Sequence, residues 1–144
     1  MTAVLILLSA ATCRAETRYV MVGDYVNARA KAGRHSASLG RLETGDEVNV
    51  TGKKKNGFAQ VDDLSLEENE GWVHAGYLVE EKPVRVGTVY RVCSKGRVKA
   101  RRWIDGPRCA WLYNGARVTV LWEADGWSVT NRGYVQSRFL EEDP

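Results

Sequence analysis

Apolar and polar residues alternate with a period of two in short runs along this chain, the pattern of strands with one buried face. Val26–Arg29 and Arg97–Arg101 alternate in this way, and so do Glu47–Thr51 and Arg117–Trp122. Arg18–Val22 and Thr88–Cys93 are runs rich in β-branched residues, which fit a pleated surface. Asn56-Gly57 and Asp125-Gly126 have the composition of tight hairpin turns that need positive φ. Each delivers an aromatic residue, Phe58 or Trp127, into a further predicted strand, Phe58–Val61 or Trp127–Thr130. Ala75–Val79 and Ser137–Leu140 read as one helical turn leading to a last short strand. About five short strands in each half, with almost no helical periodicity, predict an all-β chain.

These landmarks form a repeat. Val26-Asn27-Ala28-Arg29 returns as Val98-Lys99-Ala100-Arg101, and Leu42-x-x-Gly45-x-x-Val48-x-Val50 returns as Leu112-x-x-Gly115-x-x-Val118-x-Val120. Gly57-Phe58 returns as Gly126-Trp127, and Gly71-Trp72-Val73 with Tyr77-Leu78 returns as Gly133-Tyr134-Val135 with Phe139-Leu140. The first copy is longer because of an acidic insertion around Asp62–Glu70. A repeat of this kind fixes domain count and unit size together. The expected organisation is a signal peptide over 1–15, one unit over 16–79, a linker over 80–87 and a second unit over 88–144. Units this small bury limited surface, and closing a sheet into a barrel removes its reactive edges.

The ordered string of Val26-Asn27-Ala28-Arg29, Leu39-Gly40-Arg41-Leu42, Gly45-Asp46, Asn56-Gly57-Phe58, Gly71-Trp72-Val73 and Tyr77-Leu78 resembles the bacterial SH3-type (SH3b) domain. The resemblance extends over both copies. It implies two small SH3-like antiparallel β-barrels in tandem, in an exported protein of the bacterial envelope. Domains of this family commonly bind cell-wall peptidoglycan or serve as interaction modules attached to wall hydrolases. The chain departs from the family pattern in the loop after the motif arginine. That loop is Ala30–Ser36 in the first copy and Arg102–Arg108 in the second. It forms one wall of the family's ligand groove.

Composition sharpens the picture at three points. Ala3–Ala11 is apolar or small apart from Ser9, and Cys13-Arg14-Ala15 fits a cleavage site, so the chain is expected to be secreted with Glu16 as its mature start. No Lys or Arg precedes the apolar run, which is a departure from the usual signal. Export leaves Cys93 and Cys109, an even pair expected to form a disulfide worth about 3 kcal/mol, the alternative being two buried free thiols. Charge is unevenly held: residues 16–82 carry net −3 and residues 83–144 net +5.

The candidate ligand-binding residues follow from this asymmetry. Arg97, Lys99 and Arg101 share one face of a strand, and with Arg102 they make a cationic stripe for an anionic polymer, or else a solvated strand face. Trp103 sits beside Arg102 in the variable loop, where it is able to stack on a peptide or sugar. Arg29 is the first copy's counterpart of Arg101, and Trp127 and Tyr134 belong to a core or a groove floor. The acidic insertion lacks the ligand spacing of a calcium loop. His35 and His74 are the two histidines, and no zinc, phosphate-loop or nucleophile motif occurs, so no cofactor, no metal and no catalytic residue is expected. The expected function is that of a non-catalytic, monomeric, extracytoplasmic protein that binds peptidoglycan or its stem peptides. It would meet the membrane peripherally at most and would not bind nucleic acid. A module binding an envelope or secretion protein is the alternative, and a cell-wall hydrolase a remote one.

Overall fold

The computed structural model describes residues 16–62 and 70–144. The predicted signal peptide and most of the acidic insertion lie outside the described residues. The first sheet contains β1 (Glu16–Val20), β2 (Val26–Arg29), β3 (Ser38–Leu42), β4 (Glu47–Lys55), β5 (Phe58–Asp62), β6 (Glu70–His74) and β7 (Leu78–Val79). The second contains β8 (Val84–Val92), β9 (Val98–Arg101), β10 (Arg108–Leu112), β11 (Arg117–Ala124), β12 (Trp127–Thr130), β13 (Gly133–Gln136) and β14 (Leu140–Glu142). Both are seven-stranded and antiparallel with the same order, β3-β2-β6-β5-β4-β1-β7 and β10-β9-β13-β12-β11-β8-β14. The chain is therefore all-β, as the alternation predicts, with two SH3-like units. The ladders are open: no pairing joins β3 to β7 or β10 to β14 among the described residues.

The repeat holds at the level of register. Val26 faces Leu42 in one sheet and Val98 faces Leu112 in the other. Asn56 and Asp125 both have φ 53°, and Gly57 and Gly126 both have φ 80°, so the two hairpin turns are alike. A 3-10 turn, Ala75–Tyr77 or Ser137–Phe139, precedes the last strand of each unit, as expected. The strands missing from the sequence reading are β3 and β10, whose alternation is broken by Gly40 and by the Cys109-Ala110 pair. β8 also begins at Val84 rather than Thr88, because β11 continues to pair with it past a register shift between Val120 and Trp122.

Period-two burial builds each core. Val26 and Ala28 in β2, and Val98 and Ala100 in β9, are buried, while their neighbours point outward. They join clusters with Val48, Val61 and Val73 in one unit and with Val118, Val120 and Val135 in the other. Each such valine contributes about 1.5–3 kcal/mol of apolar burial, and each alanine less. β12 breaks the alternation: all four of its residues are buried. The cause is a third cluster, in which Trp127, Val129 and Tyr134 pack against Met21 and Val79 of the first unit. On the opposite face Ser128 shares a hydrogen bond with Ser137 at 2.8 Å, and Thr130 Oγ1 donates to the Gly133 carbonyl at 2.8 Å, so neither buried hydroxyl is left unpaired.

The link between the sheets is pinned as well. The amides of Glu80 and Glu81 donate to the two carboxylate oxygens of Asp125 at 2.6 and 3.1 Å. The units thus meet through an apolar cluster and a hydrogen-bonded connector.

The expected disulfide is absent. Cys93 and Cys109 are both free and exposed. Cys93 follows β8, where its amide donates to Phe139, and its thiol is held above its ordinary pKa chiefly by a hydrogen bond to Glu141. Cys109 lies on the edge strand β10, with its thiol 3.5 Å from the Arg132 carbonyl. The pair are close in sequence, but the intervening β9 and its turns carry them to different partners, β14 and the β12–β13 turn.

Candidate functional site

A groove of about 750 Å3 lies between the units. The first unit supplies Tyr25 and Arg29 around β2, Phe58 at the start of β5, and His74 and Tyr77 flanking the 3-10 turn. The second supplies Arg102 and Trp103 from the loop after β9. The loop that was expected to wall the second unit's groove therefore completes the first unit's.

The crossing is specific in its geometry. The Trp103 ring lies 4.3 Å from His74 and 6.2 Å, edge-on, from Tyr77. His74 in turn meets Phe58 edge-on at 5.3 Å. Such pairs each contribute about 0.5–1.5 kcal/mol beyond their buried area. The Ile104 amide donates to the Gly76 carbonyl at 3.1 Å. Gly76 has no side chain to block the indole, since a Cβ there would stand 2.3 Å from Trp103. The corresponding residue of the second copy is Arg138.

His74 Nδ1 accepts the Gly76 amide at 3.1 Å, so Nε2 carries the proton of the neutral ring. Burial lowers its pKa from the ordinary 6.5. Burial raises Tyr77, with Arg102 acting in the opposite direction, and burial raises Tyr134. At neutral pH the groove therefore offers neutral hydroxyl and imidazole donors above an aromatic floor. Tyr134 spends its hydroxyl on the Met21 carbonyl, at 2.6 Å.

A pH dependence follows. The unfolded chain binds more protons than the native one where His74 titrates, so this contribution to stability is complete above 6.5 and is lost as pH falls through the lowered native value. Urea unfolding is expected to show a lower midpoint at about pH 5.5 than at about pH 7.5, and His74→Gln is expected to flatten the difference. Glutamine is what the second copy carries at the same position, Gln136, so this exchange suits the fold. An unchanged pH profile in that variant would assign the dependence to other groups.

The structure divides the expected ligand residues among three places. Arg102 and Trp103 meet in the inter-unit groove. Arg29 and Arg101 are half-buried loop clamps, their guanidinium groups donating to the carbonyls of Ser36 at 2.9 Å and Gly106 at 2.7 Å. Arg29 still lines the groove. Trp127 is 8% exposed and packs in the cluster between the units, and Tyr134 is 5% exposed beside it. Arg97 and Lys99 line a separate hollow of the second unit with Arg101. Tyr25, His74 and Tyr77 were not foreseen as site residues. The readable signal was the contrast between Gly76 and Arg138 at one repeat position, which marks where a bulky group from elsewhere would fit.

Among the described residues, no group of three or more His, Cys, Asp or Glu is arranged to hold a metal, and no helix is long and apolar enough to cross a membrane.

The family profile of the bacterial SH3 domain matches residues 24–79, which include β2–β7 and the first unit's share of the groove. No curated protein matches the chain. Among solved structures, NlpC1 from Trichomonas vaginalis is 16% identical, with a TM-score of 0.36 over 90% of this chain and 46% of its own. NlpC2 from the same organism is 16% identical, with a TM-score of 0.38 over 91% of this chain and 49% of its own. The chain thus spans about half the length of either protein.

Proposed function

We propose that this chain, whose first unit is a bacterial SH3 domain, is a non-catalytic exported protein that binds cell-wall peptidoglycan through its stem peptides. The observation carrying this reading is the composite groove. Its volume of about 750 Å3 falls within the range of small-ligand sites and accommodates a short peptide. Tyr77 and Trp103 offer apolar surface for aliphatic side chains, with Tyr25 at the rim beneath Arg41. Arg34 and Arg102 provide cations for carboxylates, and Asp24 an anion for an amine, at the same site. A stem peptide combines these three chemical features. The family match supports the choice of wall material over other peptides.

Co-sedimentation of the full chain with insoluble peptidoglycan tests the reading. The protein is expected to pellet at about 50 mM salt and to remain bound, more weakly, at about 500 mM, because screening weakens the contacts of Arg34, Arg102 and Asp24 but not the aromatic ones. Soluble stem peptides should release it. Absence from the pellet at low salt would refute wall binding. Binding that stem peptides fail to displace would favour a protein of the envelope as the occupant.

A further inference from the structure

The second unit has its own counterpart of the groove, and its chemistry is different. A hollow of about 220 Å3 is lined by Arg97, Lys99, Arg101, Gln136, Arg138 and Phe139. The repeat places these residues at the positions of Tyr25, Asn27, Arg29, His74, Gly76 and Tyr77. An aromatic, an amide and a glycine of the first copy have each become a cation, while the loop-clamping arginine is retained. We infer that this hollow is a second, independent binding site, and that its ligand is a linear polymer with a phosphodiester backbone.

Three observations select that chemistry. First, Arg97, Lys99 and Arg138 are exposed, and none forms an ion pair with a described residue, so their charge is available. Second, the nearby rings are covered. Arg97 and Arg108 lie 3.8 and 4.9 Å from the centre of Trp111, and Arg138 lies 4.3 Å from that of Phe139. Ring faces occupied by guanidinium groups are not free to stack on a sugar, so recognition falls to charge. Third, Arg97, which immediately precedes β9, and Lys99 within it are two residues apart, a backbone rise of about 7 Å where the chain is extended. That interval suits successive phosphates of an extended chain, and guanidinium groups match phosphate oxygens in bidentate geometry.

The test uses the full chain with two soluble probes of matched length, poly(glycerol phosphate) and polyglutamate. Poly(glycerol phosphate) is expected to bind, and its affinity to fall about tenfold between 50 and 200 mM salt as two or three phosphates are neutralised. Arg97→Gln/Lys99→Gln should weaken it by at least tenfold, whereas Trp103→Ala should leave it unchanged. Lys99→Gln alone, at an exposed position, should give a smaller loss in the same direction without disturbing Trp111. No binding at 50 mM salt overturns the proposal, as does equal affinity for polyglutamate or an unaltered affinity in a folded double variant. Poly(glycerol phosphate) contains no peptide, and polyglutamate is compared in the Trp103→Ala chain, whose inter-unit groove is incomplete, so these outcomes are separate from those for that groove.

Discussion

Gly133→Ala is expected to lower the melting temperature by about 10–20 °C. Gly133 opens β13 with φ 128°, a conformation costing other residues about 1–3 kcal/mol. A Cβ there would also stand 2.8 Å from the Arg101 carbonyl oxygen and 2.9 Å from Cys109 Sγ. The first of these is backbone within the ladder and has nowhere to retreat, so overpacking adds about 1–3 kcal/mol. Gly126→Ala provides the comparison. Its φ is also positive, but no atom lies within 4 Å of its built Cβ, so only the conformational cost remains. Thermal unfolding followed by circular dichroism measures both. Equal shifts in the two variants would show that the close contact is absorbed by relaxation.

Gly76→Leu is expected to abolish the composite groove while leaving both sheets folded. Here the obstruction is Trp103, with Cδ1 at 2.3 Å and Cβ at 2.9 Å from the built Cβ. Contact so near the root of the side chain cannot be relieved by turning the ring alone, and the whole loop is displaced. Stacking on His74 and the Ile104–Gly76 hydrogen bond are lost together. Removal of such an aromatic anchor costs about 2 kcal/mol of binding, or roughly thirtyfold in affinity for stem peptides. The sheets have separate cores and should retain their far-ultraviolet spectrum. Gly76→Leu/Trp103→Ala makes room again and should regain stability without regaining affinity. If the single variant binds as tightly as the parent chain, Trp103 contributes nothing to the ligand.

Local rules made most of the fold legible. Alternation at Val26–Arg29 and the turns at Asn56-Gly57 and Asp125-Gly126 depend on neighbours in sequence and appear where the pattern puts them, while the strand expected over Arg97–Arg101 begins one residue later, at Val98. What escaped depends on contacts across the chain. Trp127 and Tyr134 were read as groove or core, and no local pattern shows that they serve a cluster with Met21 and Val79. Trp103 was singled out as a contact residue from its loop position, but its partner His74 lies in the other repeat. Proximity in sequence misled at Cys93 and Cys109, where a short separation spans a strand and two changes of direction.

Tyr25 and Arg97 occupy one repeat position, and Arg41 and Trp111 another. In the first unit Arg41 lies over Tyr25 at 4.2 Å, and in the second Arg97 lies over Trp111 at 3.8 Å. The same cation–ring contact therefore exists in mirror-exchanged form, with charge and ring swapped between strands. Giving one copy a single residue of the other's pair would leave two rings or two guanidinium groups at this spot. Two rings stack favourably, while two like charges repel. Grafting one unit's groove lip onto the other therefore requires both members of the pair to be exchanged together, and of the two half-exchanged forms the doubly aromatic one is the less costly.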